Sequence, residues 1–191
     1  ALCWDFPDGG GGHDALWRFF VARDQLERLD ARTAGQASVW EREGWLQVND
    51  GNVIDYAAIL EQIDRDAQRF DVRRLAFDRW GSAVFVQQLG DAGMEIAAMG
   101  QGFASMSPPT KELERLVLEG RYRHGGNPVM RWMVDNVVVR SDPAGNLKPD
   151  KQKSTEKIDG VVAGIMALDA ATRAVPVRKS AYEDRGMEVV G

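Results

Sequence analysis

Lys157-Ile158-Asp159-Gly160-Val161-Val162-Ala163-Gly164-Ile165-Met166-Ala167 sets a lone carboxylate into the apolar stripe of a helix-forming run, and the fold turns on how it is read. With Thr155 as N-cap, the helical period places Asp159 on one face with Val162, Ala163 and Met166, the face expected to pack on a sheet. An ionised carboxylate buried there alone would cost on the order of several kcal/mol, so a cation, a basic side chain or a shifted pKa must compensate. The alternative is an Asp near the helix N-terminus, favoured by the helix dipole and left close to solvent.

A second carboxylate lies upstream. Asp55 to Phe70 is an amphipathic helix with Tyr56, Ile59, Leu60, Ile63, Ala67 and Phe70 on one face. It leads into a short strand through Leu75, Ala76 and Phe77, and Asp78 stands at that strand's C-terminal end. In open α/β sheets this is the edge where ligands bind. Two carboxylates, one ending a strand and one on a packed helix, are the oxygen donors a hard cation requires. Locally, Asp78 reads equally well as a turn former or as the cap of a helix near Ser82.

The rest of the chain alternates strands and helices, an α/β pattern. Ala1 to Phe6 and Leu16 to Val21 read as hairpin strands around a flexible Gly9–Gly12 tip. No Lys-Ser/Thr ending follows that glycine run, so it is not a phosphate loop. Residues 27–44 read as irregular or helical, with Trp40 and Trp45 as packing anchors, and a short strand follows through Val48. Helices are expected over 82–92, from Ser107-Pro108 to Gly120, and from Asn127-Pro128 to about Val138, with a strand over 94–99. Ser141 to Ser154 is rich in Pro, Gly and Lys and is expected to be a mobile loop. The predicted organisation is one domain over 1–172 and a polar tail over 173–191.

Composition narrows the function. One cysteine, Cys3, excludes an intramolecular disulfide, and no Cys/His spacing suits structural zinc. No apolar run approaches membrane-span length. The net charge of −5 divides unevenly: residues 1–110 carry 10 basic and 17 acidic side chains, whereas 111–157 carry 10 basic and 7 acidic. Phosphate contact depends on local potential, so Arg140, Lys148, Lys151, Lys153 and Lys157 form a candidate phosphate-contacting face, although charge alone favours a solvated surface loop. His124 is a weaker candidate beside the phosphate path, or a hydrogen-bonded structural histidine.

Five segments stand in a familiar order: Asn52-Val53-Ile54-Asp55-Tyr56, Phe77-Asp78-Arg79-Trp80, Gly100-Gln101-Gly102-Phe103-Ala104-Ser105-Met106-Ser107-Pro108-Pro109-Thr110-Lys111, His124-Gly125-Gly126-Asn127-Pro128-Val129, and Lys148-Pro149-Asp150-Lys151 through Asp159-Gly160. Over roughly positions 1–170 this order resembles the C-terminal nuclease domain of the large subunits of tailed-phage DNA-packaging terminases. The resemblance implies an RNase H-like mixed β-sheet flanked by helices. It implies an endonuclease that cuts concatemeric double-stranded viral DNA in the host cytoplasm, using two Mg2+ or Mn2+ ions held by an acidic cluster. Asp78 matches the family's second acidic position and Asp159 its last. The implied partners are an ATPase domain, the portal and the small terminase subunit, with no membrane involved.

One departure matters. The family's first acidic residue lies on an opening strand just before one that resembles Ala1 to Asp8, so that strand and its ligand are expected to be absent here. Asp5 stands where the family has an apolar residue. The runner-up reading is therefore a catalytically impaired DNA-binding or docking fragment of the same family. A junction resolvase or transposase is disfavoured, because the Gly100–Lys111 segment resembles terminases and not those enzymes.

Overall fold

The computed structural model describes residues 1–78 and 95–173. Strands β1 (Leu2–Pro7) and β2 (His13–Ala22) form an antiparallel hairpin whose register pairs Cys3 with Trp17 and Trp4 with Leu16. Alternation along the strands sends Cys3, Trp17, Phe19 and Val21 into one core and Trp4 and Leu16 into another. The glycine-rich tip is an organised turn. The Asp8 carboxylate accepts the N–H groups of Gly10 and Gly12 at 2.9 and 2.8 Å, and Arg123 closes on Asp8 and Asp14.

Strand β2 also pairs in parallel with β3 (Leu46–Asn49) and β6 (Tyr122–Arg123). Helices α1 (Arg23–Arg32) and α2 (Gln36–Arg42) fill the segment expected to be irregular or helical. Of the two tryptophans expected to anchor it, Trp40 is buried against Trp132, with ring centroids 5.7 Å apart. Trp45 is 37% exposed, its indole N–H directed to Glu43, so it is not an anchor.

Helix α3 (Tyr56–Ala67) starts at Asp55, whose side chain accepts the N–H of Ala57 at 2.8 Å. Its Ile59, Leu60 and Ile63 pack with Trp4 and Leu75. Strands β4 (Arg74–Asp78) and β5 (Glu95–Met99) follow as a parallel pair. The helix expected over 82–92, and with it the capping alternative for Asp78, lies outside the described residues. So does the tail beyond Arg173.

Helix α4 (Phe103–Leu118) begins a turn before the Ser107-Pro108 start read from sequence, with Pro108 and Pro109 inside it. Those prolines remove two intrahelical donors, the local signal for a helix start. Tertiary contact carries the helix further back: Ser107 is buried, and its hydroxyl accepts the N–H of Leu147 at 3.0 Å. Helix α5 (Pro128–Asn136) is capped by Asn127, whose side-chain oxygen accepts the N–H of Met130 at 3.0 Å. Strands β7 (Val139–Ser141) and β8 (Leu147–Pro149) make an antiparallel hairpin, and α6 (Asp159–Arg173) closes the described domain.

Helix α6 contacts both β1 and β4, whereas α3 packs with Trp4 and Leu75 in the second core, so helices cover both faces of the β-structure. Among the described residues no ladder joins the β1-β2-β3/β6 sheet to the β4-β5 pair; the Trp4–Leu75 cluster and α6 connect them. Two glycines let α6 lie close. A Cβ on Gly160 would stand 2.8 Å from the Phe19 ring and 2.9 Å from the Met133 sulfur, and one on Gly164 would stand 3.1 Å from Trp17. Val161, Val162, Ile165, Met166 and Leu168 are buried, each contributing about 1.5–3 kcal/mol relative to exposure. No helix of the described residues is long and apolar enough to cross a membrane.

Candidate functional site

Asp78 ends β4, and the parallel register sets it opposite Met99 at the end of β5. The chain leaving β5 therefore passes beside it. Gln101, two residues beyond Met99, donates its side-chain N–H to Asp78 Oδ2 at 2.6 Å. The Gln101 backbone carbonyl in turn accepts from Lys148 Nζ at 2.8 Å, so one residue ties the carboxylate to the β7–β8 hairpin.

That hairpin replaces the mobile loop expected from composition. Its turn is built on Asp142, which accepts the Asn146 backbone N–H and side-chain amide, both at 2.9 Å. Asp142-Pro143-Ala144-Gly145-Asn146 is a turn signature that the sequence carried, and Gly145 adopts the positive φ that such a turn needs. Arg140 and Lys148 both lie over the Phe103 ring, at 5.1 and 5.4 Å from its centroid, a cation–π arrangement that limits where two long side chains can go.

After the hairpin, buried Asp150 shapes the next turn. Its carboxylate accepts the N–H groups of Gln152 and Lys153 at 3.0 and 3.3 Å, and its backbone N–H donates to Val138 at 2.8 Å. Arg140 approaches its other oxygen at 4.0 Å. The backbone that carries Lys151 is fixed in this way. Lys151 Nζ donates to Asp159 Oδ1 at 3.0 Å, with both side chains about half exposed.

Of its two expected settings, Asp159 takes the one near the helix N-terminus and close to solvent. Thr155 is not its N-cap; that hydroxyl donates to Asn136, and α6 starts at Asp159 itself. The carboxylate sits in the helix's first turn, 46% exposed, on the rim of the packed face and not within it. The sequence demanded a partner for this acid, and Lys151 is one. Partial burial pushes the Asp159 pKa up, but the Lys151 charge and hydrogen bond, with the Ala1 ammonium and Lys157 nearby, outweigh it and hold the group below the ordinary carboxylate range.

Gln101 and Lys151, which hold the two acids, line one cavity of about 200 Å³ together with Met106, Arg140, Lys148 and Asp150. Three of the five expected basic residues thus converge. Lys153 and Lys157 are exposed on the same segment but do not line it. His124 follows β6, which pairs at the His13 end of β2, whereas Gly160 packs at Phe19; about 20 Å of strand separates those levels. His124 is therefore not gathered here, and its Nδ1 is buried with no partner among the described residues. Asp5 is also elsewhere, buried with Oδ1 2.5 Å from His13 Nδ1. Sequence reading missed Gln101, Phe103 and Asp150 as individuals, although all three lie in segments whose order it singled out.

Residues 19–174 match the model of the terminase large subunit, endonuclease domain. The chain belongs to this family. It is 35% identical over 181 residues to the terminase large subunit of Enterobacteria phage HK97, covering 92% of this chain and 36% of that protein. Protein YmfN of Escherichia coli (strain K12) is 36% identical over 160 residues, covering 81% and 35% respectively. The crystal structure of the HK97 bacteriophage large terminase superposes with a TM-score of 0.80 at 35% identity, over 86% of this chain and 35% of that one. This terminase domain thus spans about a third of the length of these relatives, and its mixed α/β fold agrees with the expected RNase H-like architecture.

For a divalent ion, Asp78 and Asp159 offer hard oxygen donors. Among the described residues no group of three His, Cys, Asp or Glu side chains stands together to cage an ion. Mg2+ seldom needs such a cage: it takes one or two carboxylates and completes its shell with water and substrate phosphate. Each of these carboxylates is chemically suited to an ion bound in that manner.

Proposed function

We propose that this terminase domain is a metal-dependent endodeoxyribonuclease that cuts concatemeric double-stranded phage DNA in the host cytoplasm. The observation that carries the reading is that one cavity is lined by Gln101 and Lys151, the partners of Asp78 and Asp159, and by Arg140 and Lys148. Two carboxylates whose partners line one basic concavity suit a metal-assisted reaction on a polyanion.

In this mechanism Asp78 and Asp159 would hold Mg2+ or Mn2+. Two such ions would supply Lewis-acid stabilisation of the charge developing on the phosphate and ease deprotonation of an attacking water. Gln101 orients the Asp78 carboxylate. Arg140 and Lys148, braced on Phe103, receive the phosphate backbone, which positions DNA without reading its sequence. Lys153 and Lys157 extend the basic strip. In a whole large subunit the domain would act beside an ATPase domain, with the portal and small subunit as further partners.

Incubation with supercoiled plasmid and Mn2+ tests this. Cutting that is lost in EDTA and in Asp78→Asn supports the assignment. A second reading, a DNA-binding fragment impaired in catalysis, is favoured by the lack of a three-carboxylate group among the described residues. DNA binding that persists in Asp78→Asn, with no Mn2+-dependent cutting by the unsubstituted chain, would decide for it.

A further inference from the structure

The cations of the cavity are not equivalent. Lys148 is pinned by the Gln101 carbonyl at 2.8 Å and by the Phe103 ring, and Arg140 shares that ring. Lys151 instead pairs with Asp159 at 3.0 Å. Its backbone is fixed by the Asp150 turn, but the half-exposed four-carbon side chain can swing without moving that turn. From there it lines the same cavity as Arg140 and Lys148.

We infer that Lys151 is an exchangeable counter-cation: it neutralises Asp159 in the metal-free domain, and a divalent ion arriving at Asp159 releases it onto a DNA phosphate. The inference rests on the reading of the cavity as a nuclease site. A divalent ion and an ammonium group compete for one carboxylate oxygen, so the ion displaces Lys151. A freed ammonium adjoining Arg140 and Lys148 finds its next anion in a phosphodiester. Metal and DNA then favour one another, and the coupling is reciprocal because it is a linkage between two equilibria. Lys151 is thus a positioning residue that joins metal loading to substrate binding.

The test uses the full chain, with Lys151→Met, Lys151→Arg and Lys153→Met as variants. Lys151 is exposed enough that none of these should disturb folding, and thermal melts check this. Mn2+ binding is first titrated calorimetrically without DNA. Lys151→Met should bind Mn2+ about two- to fivefold more tightly, the size expected from removing a half-exposed ion pair. Lys151→Arg and Lys153→Met should stay near the unsubstituted chain. Binding of a fluorescent 24-base-pair duplex is then compared with and without Ca2+, which occupies oxygen sites while leaving the DNA intact. Ca2+ should raise DNA affinity in the unsubstituted chain and raise it less in Lys151→Met. Equal or weaker Mn2+ binding by Lys151→Met, or an undiminished Ca2+ effect, overturns the exchange while leaving the nuclease reading standing. If the unsubstituted chain takes up no Mn2+, the exchange and the nuclease reading fail together.

Discussion

The Trp17 indole N–H donates to the Gly160 carbonyl at 3.0 Å, joining β2 to the first turn of α6 across 143 residues of chain. The bond fixes the height at which Asp159, the preceding residue, emerges beside the cavity. Phe19 and Met133 press on the same point, and only a residue without Cβ leaves room for them.

Gly160→Ala should therefore destabilise the domain. Alanine favours a helix by up to about 1 kcal/mol, but overpacking against the buried Phe19 ring should cost about 1–3 kcal/mol and dominate. Denaturant unfolding measures the balance. The shift should also displace Asp159 and lower plasmid cutting beyond what the lost stability explains. A neutral melt would mean that Phe19 and Met133 move aside.

Asp66 is the main buried anion of the second core. It accepts from the Trp4 indole at 2.8 Å and from Arg18 Nε and Nη2 at 3.1 and 2.8 Å, tying α3 to β1 and β2. Asp66→Ala strands the Arg18 charge and should cost about 3–5 kcal/mol. Burial pushes the Asp66 pKa up, but the Arg18, Trp4 and Gln62 hydrogen bonds prevail and lower it. A carboxylate depressed in the folded state adds stability that is complete above its unfolded pKa of about 3.9 and is lost as pH falls through the folded value. Acid unfolding of the unsubstituted chain should steepen below about pH 4, and Asp66→Ala should flatten that step.

Gln101→Leu removes the amide that donates to Asp78 and leaves the carboxylate in place. Loss of an orienting partner to a metal-binding group typically costs about 10–100-fold. Cutting and Mn2+ affinity should fall by that order while the melting temperature barely moves. Unchanged cutting would show that Asp78 is oriented by other groups.

Lys148→Ala should weaken binding to all DNA sequences alike and reduce the slope of log affinity against log salt by about 0.9, the share of one phosphate contact. Phe103→Leu retains both cations but removes their platform. It should lower affinity by about two- to fivefold, the worth of exposed cation–π contacts, while the salt slope stays nearly constant. Those two outcomes separate a lost charge from a misplaced one.

Much of the architecture was legible because it is local. The alternation of Cys3, Trp4, Trp17 and Phe19 dictates a two-faced strand pair, the α3 stripe dictates a packed helix, and Asn127-Pro128 dictates a helix start. Where local signals competed with distant contacts, the reading slipped. Pro108 suggested a start that Ser107, bonded to the hairpin, carried back to Phe103. The Asp142 turn and the Asp150 turn convert a polar, lysine-rich stretch into an ordered hairpin and loop, since each Asp satisfies backbone donors that composition does not count.

Within the site, sequence alone determined the candidate acids and cations: Asp78 at a strand end, Asp159 on a glycine-spaced helix, and a basic run from Arg140 to Lys157. Hydrophobic period and charge density are properties of neighbouring residues, so a single chain displays them. Only the tertiary structure decided which of these groups meet. That Gln101 serves Asp78, that Phe103 braces Arg140 and Lys148, and that Lys151 rather than Lys153 or Lys157 takes Asp159 depend on the parallel β4–β5 register and the close seating of α6 on Trp17. Those contacts are set by how whole elements pack, and no spacing along the chain encodes them.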